Sequence, residues 1–192
     1  MSAYDSRPDT YEHINLVRKY LRRVTMRLIL RADKHDASKL VEPEVSVFDE
    51  FTPKLKDSTY GSDEYKQFLE GMGKGLQHHY AHNDHHPEHF YDPDPVASYS
   101  AGEPTSRWSR APLTGIHAMD LIQLTEMICD WLAATKRHDD GDIRRSIEQN
   151  RERFGYGDEI AQLLVNTVEV LDREPKTVPW LPDSPGIEKE ES

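Results

Sequence analysis

Apolar side chains recur at Ile14, Val17, Leu21, Val24 and Leu28, alternately three and four residues apart. A helix gathers that spacing on one face, whereas a strand divides it between two faces. The chain uses helical spacing again further on. From Gly115 it runs through Ile116, Met119, Leu121, Ile122, Leu124, Met127, Ile128, Trp131 and Leu132. This run is apolar round most of a helix, the mark of a central element. Ile160, Leu163, Leu164, Val168 and Leu171 outline a last amphipathic helix from Glu159. No stretch sustains period-two alternation, and no Asn-Gly hairpin joins two such stretches. The expected fold is all-α.

Local signals divide the chain. Asp9, with Glu12 three residues on, reads as a capping box opening the first helix. Asp33 to Lys39 marks a break, and Pro43 disfavours helix just before it. A short helix is expected from Glu44 to Phe51, then a loop from Thr52-Pro53 to Gly61. Ser62-Asp63-Glu64 opens a helix to His79, whose Gly71, Gly73 and Gly75 weaken it or admit a neighbouring helix. The stretch around Pro87 reads as a loop. Residues 91–114, rich in Pro, Ser, Asp and Gly, read as an inserted loop or lid. A helix from Ile143 breaks at Phe154-Gly155. The expected organisation is one helical domain over 1–174 and a mobile Pro-rich, acidic tail over 175–192.

The net charge of -11 opposes binding to a nucleic acid polymer. A small phosphorylated substrate stays open, because a bound cation and a few Arg reverse the sign locally. No apolar run approaches the roughly 18–20 residues of a membrane span, and the first residues lack signal-peptide features. The single cysteine, Cys129, fits a reducing compartment and reads as a small buried hydrophobe. These features make a cytoplasmic protein without a membrane partner the expectation, with assembly of several copies allowed.

The residues with chemistry are His and Asp. His13 lies at the edge of the first apolar stripe, and His35-Asp36 follows 22 residues later. Asp130 stands among apolar residues in Met-Ile-Cys-Asp-Trp-Leu, where an unpaired carboxylate would be costly. Two imidazoles and two carboxylates, from His13, His35, Asp36 and Asp130, would bind one divalent ion and leave room for water. A block of His78, His79, His82, His85, His86 and His89 follows the first pair. His78 and His79 point about 100° apart on a helix, so one of them faces any given site. His82, His85 and His89 read as substrate contacts or as a solvated loop. Lys39 reads as a phosphate contact or a surface lysine. Arg144 and Arg145 read as part of a phosphate clamp or as partners of nearby Glu. His138-Asp139, in an acidic turn, reads as solvated.

These residues carry a resemblance. His13-Ile14-Asn15, His35-Asp36-Ala37-Ser38-Lys39 and Cys129-Asp130-Trp131 are similar, in order, to the three metal-binding places of the HD-domain superfamily of metal-dependent phosphohydrolases. The stretch from about Asp5 to Leu171 also resembles an uncharacterised family of phage and bacterial proteins, a domain of unknown function. It does so through His-Asp-Ala-Ser-Lys, His-His-Pro-Glu-His, Met-Ile-Cys-Asp-Trp and Ile-Glu-Gln-Asn-Arg-Glu-Arg-Phe-Gly-Tyr. The superfamily resemblance implies an HD-like helical bundle that hydrolyses a nucleotide or other small phosphate ester. The ion would be Mn, Co, Ni, Zn, Mg or Fe. One ion is implied by the simplest pattern. Two are implied if His79 and His86 act as the extra ligands of the phosphodiesterase and oxygenase branches. In this scheme Asp36 holds metal and orients water, His79 or His86 protonates the leaving group, and Lys39 contacts phosphate. A di-iron oxygenase and a non-catalytic metal-binding protein are the alternatives.

Overall fold

The structure is a computed structural model that describes residues 4–58, 62–91, 114–137 and 141–173. Among them are six α-helices and no strand: α1 Arg7–Ala32, α2 Glu44–Asp57, α3 Asp63–His82, α4 Leu121–Thr135, α5 Ile143–Phe154 and α6 Asp158–Leu171. Short 3₁₀ turns occupy Ala37–Leu40, Pro87–Phe90 and Gly115–Ala118. The all-α expectation holds. The lid, apart from its edges, the His138-Asp139 pair and the tail lie outside the described residues.

Helix α4 has packed groups on two sides. Met127 and Ile128 are buried with Ile116, Ile147, Phe154, Tyr156, Leu164 and Val168. Trp131 stacks nearly parallel on Phe154, with ring centroids 6.0 Å apart. The Tyr156 hydroxyl donates to the Ile147 carbonyl at 2.5 Å. Gly155, at φ +66°, closes α5 in the left-handed conformation that glycine adopts without a Cβ penalty. Each of the large apolar side chains in this cluster contributes about 1.5–3 kcal/mol through burial.

The other side of α4 faces the segment after α1 and the end of α3. Helix α3 is tied to α2 by two glycines one turn apart. A Cβ on Gly71 would lie 2.7 Å from the Phe51 ring, and one on Gly75 would lie 2.7 Å from Val47. The glycines therefore serve the close approach that their spacing allowed. Gly73, between them, carries φ +46° and bends the helix.

Several boundaries differ from expectation. Helix α1 starts at Arg7, with Pro8 in its first turn, so Asp9 lies inside the helix and does not cap it. Helix α2 continues through Pro53 to Asp57. Half-buried Phe51 and Leu55, one turn apart across the proline, hold that extension in place despite the missing N–H. The run from Gly115 to Leu132 is a 3₁₀ turn and then a helix. Asp120 caps α4, accepting from the amides of Ile122 and Gln123 at 2.8 and 2.9 Å, while Gln123 accepts from the Asp120 amide at 2.8 Å. Cys129 is exposed, because the buried face of α4 passes through Met127 and Ile128.

Candidate metal centre

Asp36 is the hub of a polar cluster. It follows α1 by four residues and has φ +54° and ψ +15°, a left-handed conformation uncommon for a residue with a Cβ. Such strain costs on the order of 1–3 kcal/mol and persists only where the surroundings impose it. The next turn, Ala37–Leu40, brings Ser38 and Lys39 back toward the same place.

Four imidazoles surround this carboxylate. His79 Nε2 lies 3.4 Å and His85 Nε2 3.5 Å from Asp36 Oδ1. His86 Nε2 is 2.9 Å from His79 Nε2. His35 Nε2 is 3.6 Å from Asp36 Oδ2 and 3.6 Å from Asp130 Oδ1. His79 comes from α3, His85 and His86 from the turn after it, and Asp130 from α4. Two ligands on one cation at about 2.1 Å stand roughly 3.0–3.4 Å apart, close to these separations. Three overlapping groups of donors are close enough to share an ion. They are Asp36 with His79, His85 and His86; His35 with Asp36 and Asp130; and His35 with His85 and Glu126.

Two carboxylates stand behind the imidazoles. Glu126 Oε1 accepts from His35 Nδ1 at 2.9 Å and lies 3.3 Å from His85 Nδ1. Glu44 is fully buried. Its two oxygens accept from His78 Nδ1 at 2.7 Å and His79 Nδ1 at 2.9 Å, and the Ser38 hydroxyl donates to it at 2.9 Å. A proton held on Nδ1 leaves Nε2 with a free lone pair, so these contacts aim His35, His79 and His85 inward. Arg31 donates to both Glu126 and Asp84, fixing the end of α1 to α4 and to the turn before His85.

Charge is unevenly placed in the cluster. Burial depresses the basicity of His79, His85 and His86, taking His86 to about 2 with help from His85 and His79. His35 is raised to about 10 by Asp130 and Glu126. Burial opposes the charge on Asp130, but its bond to His35 outweighs that, with help from His86, His85 and Lys39, and Asp130 falls to about 2. Lys39 donates to Asp36 Oδ2 at 2.6 Å, and Asp36 lies below the usual carboxylate range with Lys39 as the main opponent of burial. Asp36 Oδ1 and His85 Nε2 are buried without a hydrogen-bond partner among the described residues. An unmet lone pair on each, 3.5 Å apart, fits a cation.

The sequence expectations divide. His35, Asp36, Asp130, His79 and His86 meet here. His13 does not. It lies exposed on α1, 18 residues before Arg31, and a helix rises about 27 Å over that span. His85, expected to touch substrate, is buried inside the cluster. His82 stacks on His78 at the surface and bonds its carbonyl, and His89 bonds the Tyr80 carbonyl. Arg144 pairs with Glu169, and Arg145 is exposed on the same helix. Glu126 was legible, because it shares a helix face with Asp130 four residues on. Glu44 was not, because nothing local links the first residue of α2 to α3.

Residues 2–175 match DUF5662, a family of unknown function, and the chain belongs to that family. No curated protein and no solved structure matches the chain. The described residues of this chain have an all-helical fold and a His/Asp/Glu cluster able to hold a metal ion.

Proposed function

We propose that this protein is a metal-dependent phosphohydrolase acting on a nucleotide or another small phosphate ester. One observation carries the reading: a half-buried carboxylate, Asp36, whose buried oxygen has no partner among the described residues, is ringed by Nε2 atoms from three parts of the chain. The likeness of His35-Asp36 and Asp130 to HD-domain ligands supports it. His13 departs from that pattern, and His79, His85 and His86 stand in its place.

The donor set is imidazole and carboxylate without thiolate, which suits Mn, Fe, Co, Ni or Zn. His79, His85, His86 and Asp36 would hold one ion. His35 and Asp130, sharing Asp36, would hold a second. Such ions supply Lewis acidity at phosphorus-bound oxygen and lower the pKa of a coordinated water. The chain itself does the rest. Glu44 and Glu126 keep the imidazole lone pairs aimed inward. Asp36 balances charge and accepts from water. Lys39, part-exposed at the edge of the cluster, offers an ammonium to an equatorial phosphoryl oxygen. With the first ion alone in place, His35 stays protonated beside Asp130 and can give that proton to a leaving oxygen; a second ion would take its Nε2 instead.

Metal analysis of the purified chain followed by a nucleotide screen for phosphate release tests this. Phosphate release stimulated by Mn, Co, Ni, Zn or Fe is expected, with Asp36→Asn at least 100-fold slower and equally helical by circular dichroism. Unchanged turnover in Asp36→Asn rejects the assignment. A second reading draws on the four imidazoles round one carboxylate, a donor set that also suits a di-iron oxygenase. About two irons per chain, with oxygen consumption and no phosphate release, would favour it. Bound metal without turnover of either kind would leave the non-catalytic alternative.

A further inference from the structure

Helix α1 is 26 residues long, and none of them is buried among the described residues. Val17, Tyr20, Leu21, Val24, Met26, Ile29 and Leu30 are each more than 40% exposed, with Leu21 at 60%. Ile14, Leu28 and Arg31 are partly buried, and Arg31 anchors the helix to α4. A long helix that leaves so many apolar side chains in water lacks the packing from which most helices in proteins draw their stability.

The pattern of the seam says what covers it. Ile14, Val17, Leu21, Val24 and Leu28 are spaced three, four, three and four, and the next place, Arg31, is turned to α4 of the same chain. This is the 3.5-residue period that seats one helix against a like helix, with Ile14, Leu21 and Leu28 in one row and Val17 and Val24 in the other. The charge points the same way. The helix carries seven Lys or Arg against two Asp or Glu, a net +5, in a chain of net -11. The rest of the chain is therefore at -16, an acidic body that complements the basic flank of another copy. Covering half the surface of a helix about 39 Å long removes roughly 600 Å² per copy. A stable interface takes about 800 Å², so part of the contact must come from that body. An anionic membrane is the rival occupant, because Arg22, Arg23 and Arg27 stand among Met26, Ile29 and Leu30 on the face away from the seam.

We infer that α1 is the dimerisation element of this protein, pairing through Ile14, Val17, Leu21, Val24 and Leu28 with a second copy of the chain. Sedimentation velocity on the full chain tests it. A dimer of the 22.2 kDa chain is expected at micromolar concentration. Leu21→Asp should raise its dissociation constant roughly 100-fold with an unchanged circular dichroism spectrum. If that variant fails to fold, Leu21→Ala with Val24→Ala keeps a helix-favouring surface and should weaken the dimer about tenfold. A wild-type monomer overturns the inference. So does a dimer indifferent to whichever of the two variants folds. Capture of a monomeric chain by phosphatidylserine vesicles would also overturn it and assign α1 to a membrane surface.

Discussion

The two sides of α4 hold opposite kinds of interior. Met127 and Ile128 enter a cluster of aliphatic and aromatic side chains whose one buried hydroxyl, on Tyr156, is bonded to a carbonyl. Glu126 and Asp130 enter a cluster of imidazoles and carboxylates. The first interior is complete in itself, because apolar groups need only exclude water. The second is not. Asp36 holds a strained backbone, and two buried polar atoms have no partner. Each unmet group costs about 1–3 kcal/mol. One interior is built for folding, while the other gives up stability to hold a geometry. A sequence that departs from the rules of good packing does so where function demands it.

Two substitutions on α4, about 200° apart round the helix, should separate these roles. Ile128→Ala leaves a cavity in the apolar cluster and is expected to cost about 2–5 kcal/mol in urea unfolding. Metal content under native conditions should not change. Glu126→Gln keeps shape but removes the charge behind His35 and His85. Its expected effect is a 10–100-fold loss of metal affinity, with an unfolding cost of about 1–3 kcal/mol from the weakened Arg31 and His35 contacts. If Ile128→Ala emptied the centre while the fold persisted, the two interiors would be one cooperative unit.

Proton release sharpens the contrast within the polar side. Burial keeps His79, His85 and His86 neutral, so an ion among them displaces no proton at neutral pH. His35, with a pKa of about 10, must give one up before its Nε2 can bind. Titration calorimetry in buffers of different ionisation enthalpy should therefore show one event with almost no proton release and one with about one proton. The affinity of the second should rise about tenfold per pH unit up to pH 10. The metal-free fold follows the same pKa shifts with definite signs. Its gain from His35 is complete below pH 6.5 and fades as pH climbs toward 10. The depressed His86 instead weakens the fold as pH falls from 6.5 toward 2.

Helical class and most of the centre were legible because both rest on short-range rules. Period fixed the helices, and the cost of a lone carboxylate at Asp130 called for a partner that His35 supplies. Gly71 and Gly75, which left a weakened helix or a close helix pair open, form the close pair that Val47 and Phe51 complete. What escaped depends on the path of the chain between elements. His85 reaches Asp36 through a turn whose geometry no spacing encodes. Pro53 was read by its local penalty, while tertiary contact on either side of it decided the outcome.

His13 shows how a correct motif order can mislead, and it carries the smallest expected effect. It precedes His35 on a helix, as the first ligand of an HD site would, but α1 is straight enough in its spacing to carry it about 27 Å from the end that reaches Glu126. His13→Ala should leave metal content and any phosphatase activity unchanged, and shift unfolding by no more than about 0.5 kcal/mol, as exposed positions do. Metal analysis of this variant beside Glu126→Gln makes the comparison. A loss in His13→Ala as large as that in Glu126→Gln could not arise within one chain. It would require His13 to reach the centre of a second copy, and would join the exposed helix to the chemistry it otherwise stands apart from.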